Sequence, residues 1–83
     1  MEEQKIGEVE KYFGNLGVAI VKLNGSLQPG ERVHFRGKSD FEQIVSSLEV
    51  NNQQVDEAKM GQEVGIQVQE PCEIGDVVFK VSG

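Results

Sequence analysis

Arg32, His34, Arg36 and Lys38 recur at every second position of one short segment. In an extended strand that spacing sends all four side chains to one face, opposite Val33 and Phe35. Three of the chain's eight lysines and arginines thus form one stripe, on a chain whose formal net charge is −6. Such a stripe suits RNA phosphates or an acidic protein surface. It equally suits a solvated face whose cations pair across strands with Glu42 or another outward carboxylate, each pair worth roughly a few tenths of a kcal/mol. Tyr12 is the other candidate contact: with Phe13 on the core side it faces out, where a ring stacks on a base or anchors a protein. The alternative is a partly buried ring with a wet hydroxyl.

Other groups offer less. Gly37-Lys38-Ser39 has the ending of a phosphate-binding loop, but Arg32 stands where the first glycine belongs, and a strand follows instead of a helix. It reads as a turn. Cys72 lies beside Glu70 and Glu73, which raise a thiol's pKa, and it has no oriented base. Ser46 and Ser47 lack a nucleophile-elbow context. Glu2-Glu3 and Asp56-Glu57 read as solubility and terminus features. One histidine and one cysteine give a metal no soft ligand set, so neither a catalytic centre, a metal nor a cofactor is expected.

Length and charge narrow the classes. A chain of 83 residues holds one domain, 1–83, and buries only about 60–65% of the surface its unfolded form exposes. Little volume remains for a deep cleft. The negative balance argues against indiscriminate nucleic-acid binding, and no DNA partner is expected. A single cysteine excludes an internal disulfide. The longest apolar run, Val18 to Val21, is far short of the ~20 residues of a membrane span. The expectation is a cytoplasmic monomer, and the opening Met1 favours a natural short protein over a cut-out domain.

The elements that must position these residues are strands. Ten glycines and two prolines punctuate short alternating runs, and helical periodicity is nearly absent. Lys5 to Phe13 alternates, with Gly7, Val9 and Phe13 on one side and Glu8, Glu10 and Tyr12 on the other. Gly14 to Gly17 is a turn, and Val18 to Leu23 is a strand closed by the hairpin signal Asn24-Gly25. Pro29-Gly30 suits a type II turn. Phe41 to Val50 changes parity between Val45 and Leu48, which predicts a bulge near Ser46-Ser47. Asn51 to Met60 is ambiguous, with room for one helical turn at 56–59. Val64, Ile66 and Val68 form an inward stripe, and Val77, Phe79 and Val81 form the last. The pattern predicts an all-β, closed or nearly closed antiparallel barrel of about six strands.

Several phrases carry a family resemblance: Gly7-Glu8-Val9, Val18 to Leu23 with Asn24-Gly25, Leu27-Gln28-Pro29-Gly30-Glu31-Arg32-Val33, Val45 to Leu48, Val55 to Ala58, Gly61 to Ile66, and Gly75-Asp76-Val77-Val78. In this order they resemble domain 2 of the translational GTPases, the barrel of elongation factor Tu. They also resemble the barrel extension at the end of some peptidase U32 family proteins. The first resemblance implies a non-catalytic module that docks on tRNA, the ribosome or an associated protein. The second implies an accessory domain for a separately encoded U32-type enzyme. Neither the GTPase domain nor the U32 catalytic part is present, and no functional residue carries over.

Overall fold

Alternation on the segment around Val33 is kept in the structure, a computed structural model that describes residues 2–82. Val33 and Phe35 are fully buried, while Arg32 and Arg36 are exposed. Among the described residues eight strands form: β1 (Glu2–Phe13), β2 (Val18–Leu23), β3 (Arg32–Arg36), β4 (Asp40–Ile44), β5 (Leu48–Val50), β6 (Gln53–Val55), β7 (Glu63–Gln67) and β8 (Val77–Ser82). They make one antiparallel sheet in the order β4-β3-β8-β1-β2-β7-β5-β6.

Two of the eight were not expected as separate strands. The change of parity after Val45 is a break in the ladder, with Val45 to Ser47 outside any strand, and not a bulge within one. The ambiguous stretch contributes β6 and no helical turn; Ala58 instead bridges to Leu27, N to O at 2.8 Å and 2.9 Å. The hairpin signal also lies elsewhere. β2 pairs with β1 and β7, so Asn24-Gly25 does not join sheet neighbours. Asn51 and Asn52, at φ 54° and 63°, are the two left-handed residues that join β5 to β6. Both positions take positive φ in a type I′ turn, and asparagine tolerates it better than most side chains.

The sheet is not closed. β4 and β6 are its edges, and no backbone ladder joins them among the described residues. A side chain crosses instead: Gln43, 4% exposed, donates from Nε2 to the Gln67 carbonyl and accepts the Gln69 N–H at Oε1, both at 2.8 Å. Those two bonds satisfy a buried amide and tie edge β4 to the end of β7.

Inside the curl, Ile6, Val9, Val21, Val33, Phe35, Val64, Ile66 and Val78 are each at most 2% exposed. Phe35 stacks on Phe41 across the β3–β4 ladder, with ring centroids 4.7 Å apart. Two irregularities on β1 set which side chains reach this core. The register against β8 slips between Lys5 and Gly7, and against β2 between Val9 and Lys11. Each bulge adds one residue and reverses the parity beyond it. Gly7 sits between them because a Cβ there would come within 2.6 Å of the Lys22 carbonyl oxygen. Gly30 and Gly75, at φ 93° and 94°, take the backbone conformation that the turns before β3 and β8 require.

Candidate functional site

The basic stripe forms, but its cations are already paired. Arg32 Nη1 lies 3.7 Å from Glu42 Oε1, the cross-strand carboxylate the register requires. Arg36 lies 3.5 Å from Glu3 on β1 and has its guanidinium carbon 5.4 Å from the Phe79 ring centroid. Lys38 falls beyond the end of β3, in the turn after Gly37, with its ammonium 3.9 Å from Glu73. The expected four-residue strand stripe is therefore three residues on the strand and one off it. Three permanent cations face four carboxylates, Glu3, Asp40, Glu42 and Glu73, so this face has no net positive field.

His34 sits at the centre. Its Nδ1 is 2.7 Å from Glu3 Oε2 and its Nε2 is 2.5 Å from Asp40 Oδ1, and the imidazole is mostly covered. Burial pushes its pKa down, but the hydrogen bonds to Asp40 and Glu3 outweigh that and hold it above the usual histidine value. A protonated ring donates to both carboxylates and links β1, β3 and β4. Ligand atoms of Glu3, His34 and Glu42 lie within 4.8 Å of one another, a convergence that counting histidines and cysteines did not reveal. Arg36 beside Glu3 and Arg32 beside Glu42 supply positive charge where a divalent cation would have to sit.

Tyr12 does not face out as its place in the alternation implied. The bulge at Glu10 reverses the parity of the end of β1, so Tyr12 packs half-buried against the core and Phe13 is 42% exposed. β8 also departs from its expected inward set of Val77, Phe79 and Val81, of which Val81 is buried. Val78 is the fully buried residue, while Phe79, half-buried, pairs with His34 and lies under Arg36 on the outer face.

The Gly37–Ser39 turn does bind an anion, one from its own chain. Asp76, 2% exposed, accepts the N–H of Lys38 at Oδ1 and the N–H of Glu73 at Oδ2, each at 2.9 Å. Burial pushes its pKa up; hydrogen bonds from Glu73, Lys38 and Ser39 more than reverse that and hold the carboxyl below its usual value. Cys72 is buried, and desolvation together with Asp76 pushes its thiol up to about 11, so it is protonated at neutral pH. His34, held between Glu3 and Asp40, makes no hydrogen bond to it.

Other exposed apolar side chains escaped the strand reading. Phe13 and Leu16 project beside the β1–β2 turn, Leu16 at 66% exposure. With Val18 and Ile20 they line an open groove of 320 Å³ that extends to Gly65 on β7 and to the Asn51-Asn52 turn. The signal was present in Val18 to Leu23: a continuous apolar run places residues on both faces of a strand. No helix among the described residues is long and apolar enough to cross a membrane.

No family model matches the chain. An uncharacterized protease of Methanocaldococcus jannaschii is 30% identical over 77 residues, which cover 90% of this chain. The chain spans only about a fifth of that relative, 19% of its length. Among solved structures, the C-terminal domain of a Geobacillus thermoleovorans protein named as a U32 peptidase superposes with a TM-score of 0.88 at 25% identity, covering 93% of this chain and 91% of that one. Its selenomethionine variant gives 0.86 at 24% identity, over 90% and 96% of the two chains. Of the two resemblances read from the sequence, these matches support the one to U32-type proteins and do not show the one to the translational GTPases. In sequence and fold the chain is similar to the C-terminal domain of a U32 peptidase.

Proposed function

We propose that this chain is a non-catalytic accessory domain that docks on the catalytic part of a U32-type protease. The observation that carries the reading is the superposition on a U32 peptidase C-terminal domain over nearly the whole of both chains. The chemistry agrees with it. The thiol is buried and protonated, and the imidazole is held between two carboxylates. Docking on RNA through the stripe has weaker support, because each of its cations already faces a carboxylate.

Size-exclusion chromatography tests the accessory role. The partner is the Methanocaldococcus jannaschii protease with its matched 77 residues deleted, its folding checked by circular dichroism. The expected result is co-elution of the 83-residue chain with that protein at a one-to-one ratio. Separate elution of two folded proteins overturns the reading. Titration with deacylated tRNA tests the rival: it predicts amide shifts at Arg32, His34, Arg36 and Lys38 that fade as salt rises.

A further inference from the structure

The outer face of β2 and β7 differs from the stripe face in one respect: its acids are unspent. The groove bounded by Phe13, Leu16, Val18 and Ile20 has two carboxylates on its rim, Glu49 and Glu63, and no cation in its lining. Among the described residues neither carboxylate lies within ion-pair distance of a lysine, an arginine or His34. The nearby lysines do not fill this role. Lys22 donates to the Gly61 carbonyl at 3.0 Å, and Lys11 lies one strand away, paired in register with Ile20.

Beside Glu63 lies another acid, Glu10, the extra residue of the β1 bulge. The neighbouring Glu63 holds the Glu10 carboxyl above its usual pKa, with desolvation adding to the effect and the charges of Lys22 and Lys11 opposing it without cancelling it. Two acids this close beside an apolar floor repel each other, so a further cation arriving there is favoured. Gly65 shapes the floor. A Cβ there would meet Ile20 and Val18 at ordinary distances of 3.6 and 3.7 Å. Its missing side chain leaves depth between Ile20 and Glu49, its neighbours across the two ladders. Asn51 and Asn52 add carboxamides at the far end.

We infer that this groove is the docking surface for a protein segment that presents an apolar side chain flanked by lysine or arginine, carried by the catalytic part of a U32-type protease. The apolar side chain enters between Leu16 and Ile20, and the flanking cations meet Glu49 and Glu63. Charge complementarity selects this occupant over a second copy of the chain, which would bring the same acidic rim to the interface. The location rests on the accessory role proposed above; the groove's preference for a basic, apolar segment does not.

Two synthetic dodecapeptides test it, identical except that a central Leu-Phe pair is flanked by lysines in one and by glutamates in the other. Each is titrated into the isotope-labelled 83-residue chain and followed by amide shifts. The lysine peptide is expected to shift Leu16, Val18, Ile20, Glu63 and Gly65 and to bind at least tenfold tighter than the glutamate peptide. Leu16→Lys and Glu63→Gln should each weaken it fivefold or more, while Lys38→Ala leaves it unchanged. Equal binding of both peptides, shifts on the stripe face, or no shifts overturns the inference, as do groove shifts that depend on protein concentration alone. Co-elution with the deleted protease that survives Leu16→Lys overturns the groove but spares the accessory role. A lysine-peptide response without co-elution spares the groove and removes that role.

Discussion

Across 38 residues of sequence, the carboxylate of Asp76 accepts the backbone N–H of Lys38 at 2.9 Å. It accepts the Glu73 N–H as well, so one buried side chain fastens the β3–β4 turn to the turn before β8. The Gly75-Asp76 phrase is thereby explained: the glycine turns the chain and the aspartate secures it.

Asp76→Ala leaves those part-buried amides without their partner and should destabilise the domain by roughly 1–3 kcal/mol in urea unfolding at neutral pH. The pH dependence has a definite sign. Because the folded pKa is depressed, the stabilisation is present above the unfolded value near 3.8 and is lost as pH falls through the folded one. The alanine variant should lose less stability than the parent between neutral pH and pH ~2. Parallel pH profiles for the two proteins would contradict this role.

His34 behaves in the opposite sense. Its folded pKa is raised, so its contribution is complete below the ordinary value near 6.5 and disappears as pH rises through the folded value. Imidazole titration followed by NMR should give a midpoint above that of an unfolded peptide. His34→Gln should flatten the stability profile in the same window, whereas a midpoint at or below the peptide's would remove the link to Glu3 and Asp40.

Cys72 should resist alkylation. With its thiol at about 11 and its side chain buried, iodoacetamide at pH 8 should modify the native protein only as fast as it unfolds. Labelling should become fast above the urea midpoint. Complete labelling of folded protein within minutes would show the sulfur to be accessible.

Two glycine substitutions should separate space from convention. Gly7→Ala drives a Cβ against the Lys22 carbonyl and should cost about 1–3 kcal/mol. Gly65→Ala meets only ordinary contacts and should be close to neutral in stability. The readout is the thermal midpoint of each variant, and equal shifts would refute the distinction.

How far these relationships were legible depended on the regularity of each strand. β3 carries no bulge, and Val33, Phe35 and the side chains between them point where alternation puts them. β1 carries two bulges, and one extra residue at Glu10 was enough to exchange the environments of Tyr12 and Phe13. On β8 Val78 and Val81 are buried while Val77 and Phe79 are half-buried, and alternation could not reveal that Arg36 would pair with Val77 and lie over Phe79. The stripe's ion pairs required knowing that Glu3 lies across β8 from His34, a neighbour no local pattern supplies. Gln43 was the most hidden: a polar residue at a buried position makes sense only once Gln67 and Gln69 arrive from the far end of the sheet.

That glutamine has a mechanical consequence. Strand ladders lock two edges in register, each residue resisting displacement with its own bond. Here edge β4 is tied to the end of β7 by one carboxamide, so parting the two breaks two side-chain bonds and no strand ladder. The domain therefore has a built-in line of weakness running lengthwise. A force that parted that line would leave the strand pairing of the sheet intact, as a sleeve opens at its placket and not through its weave.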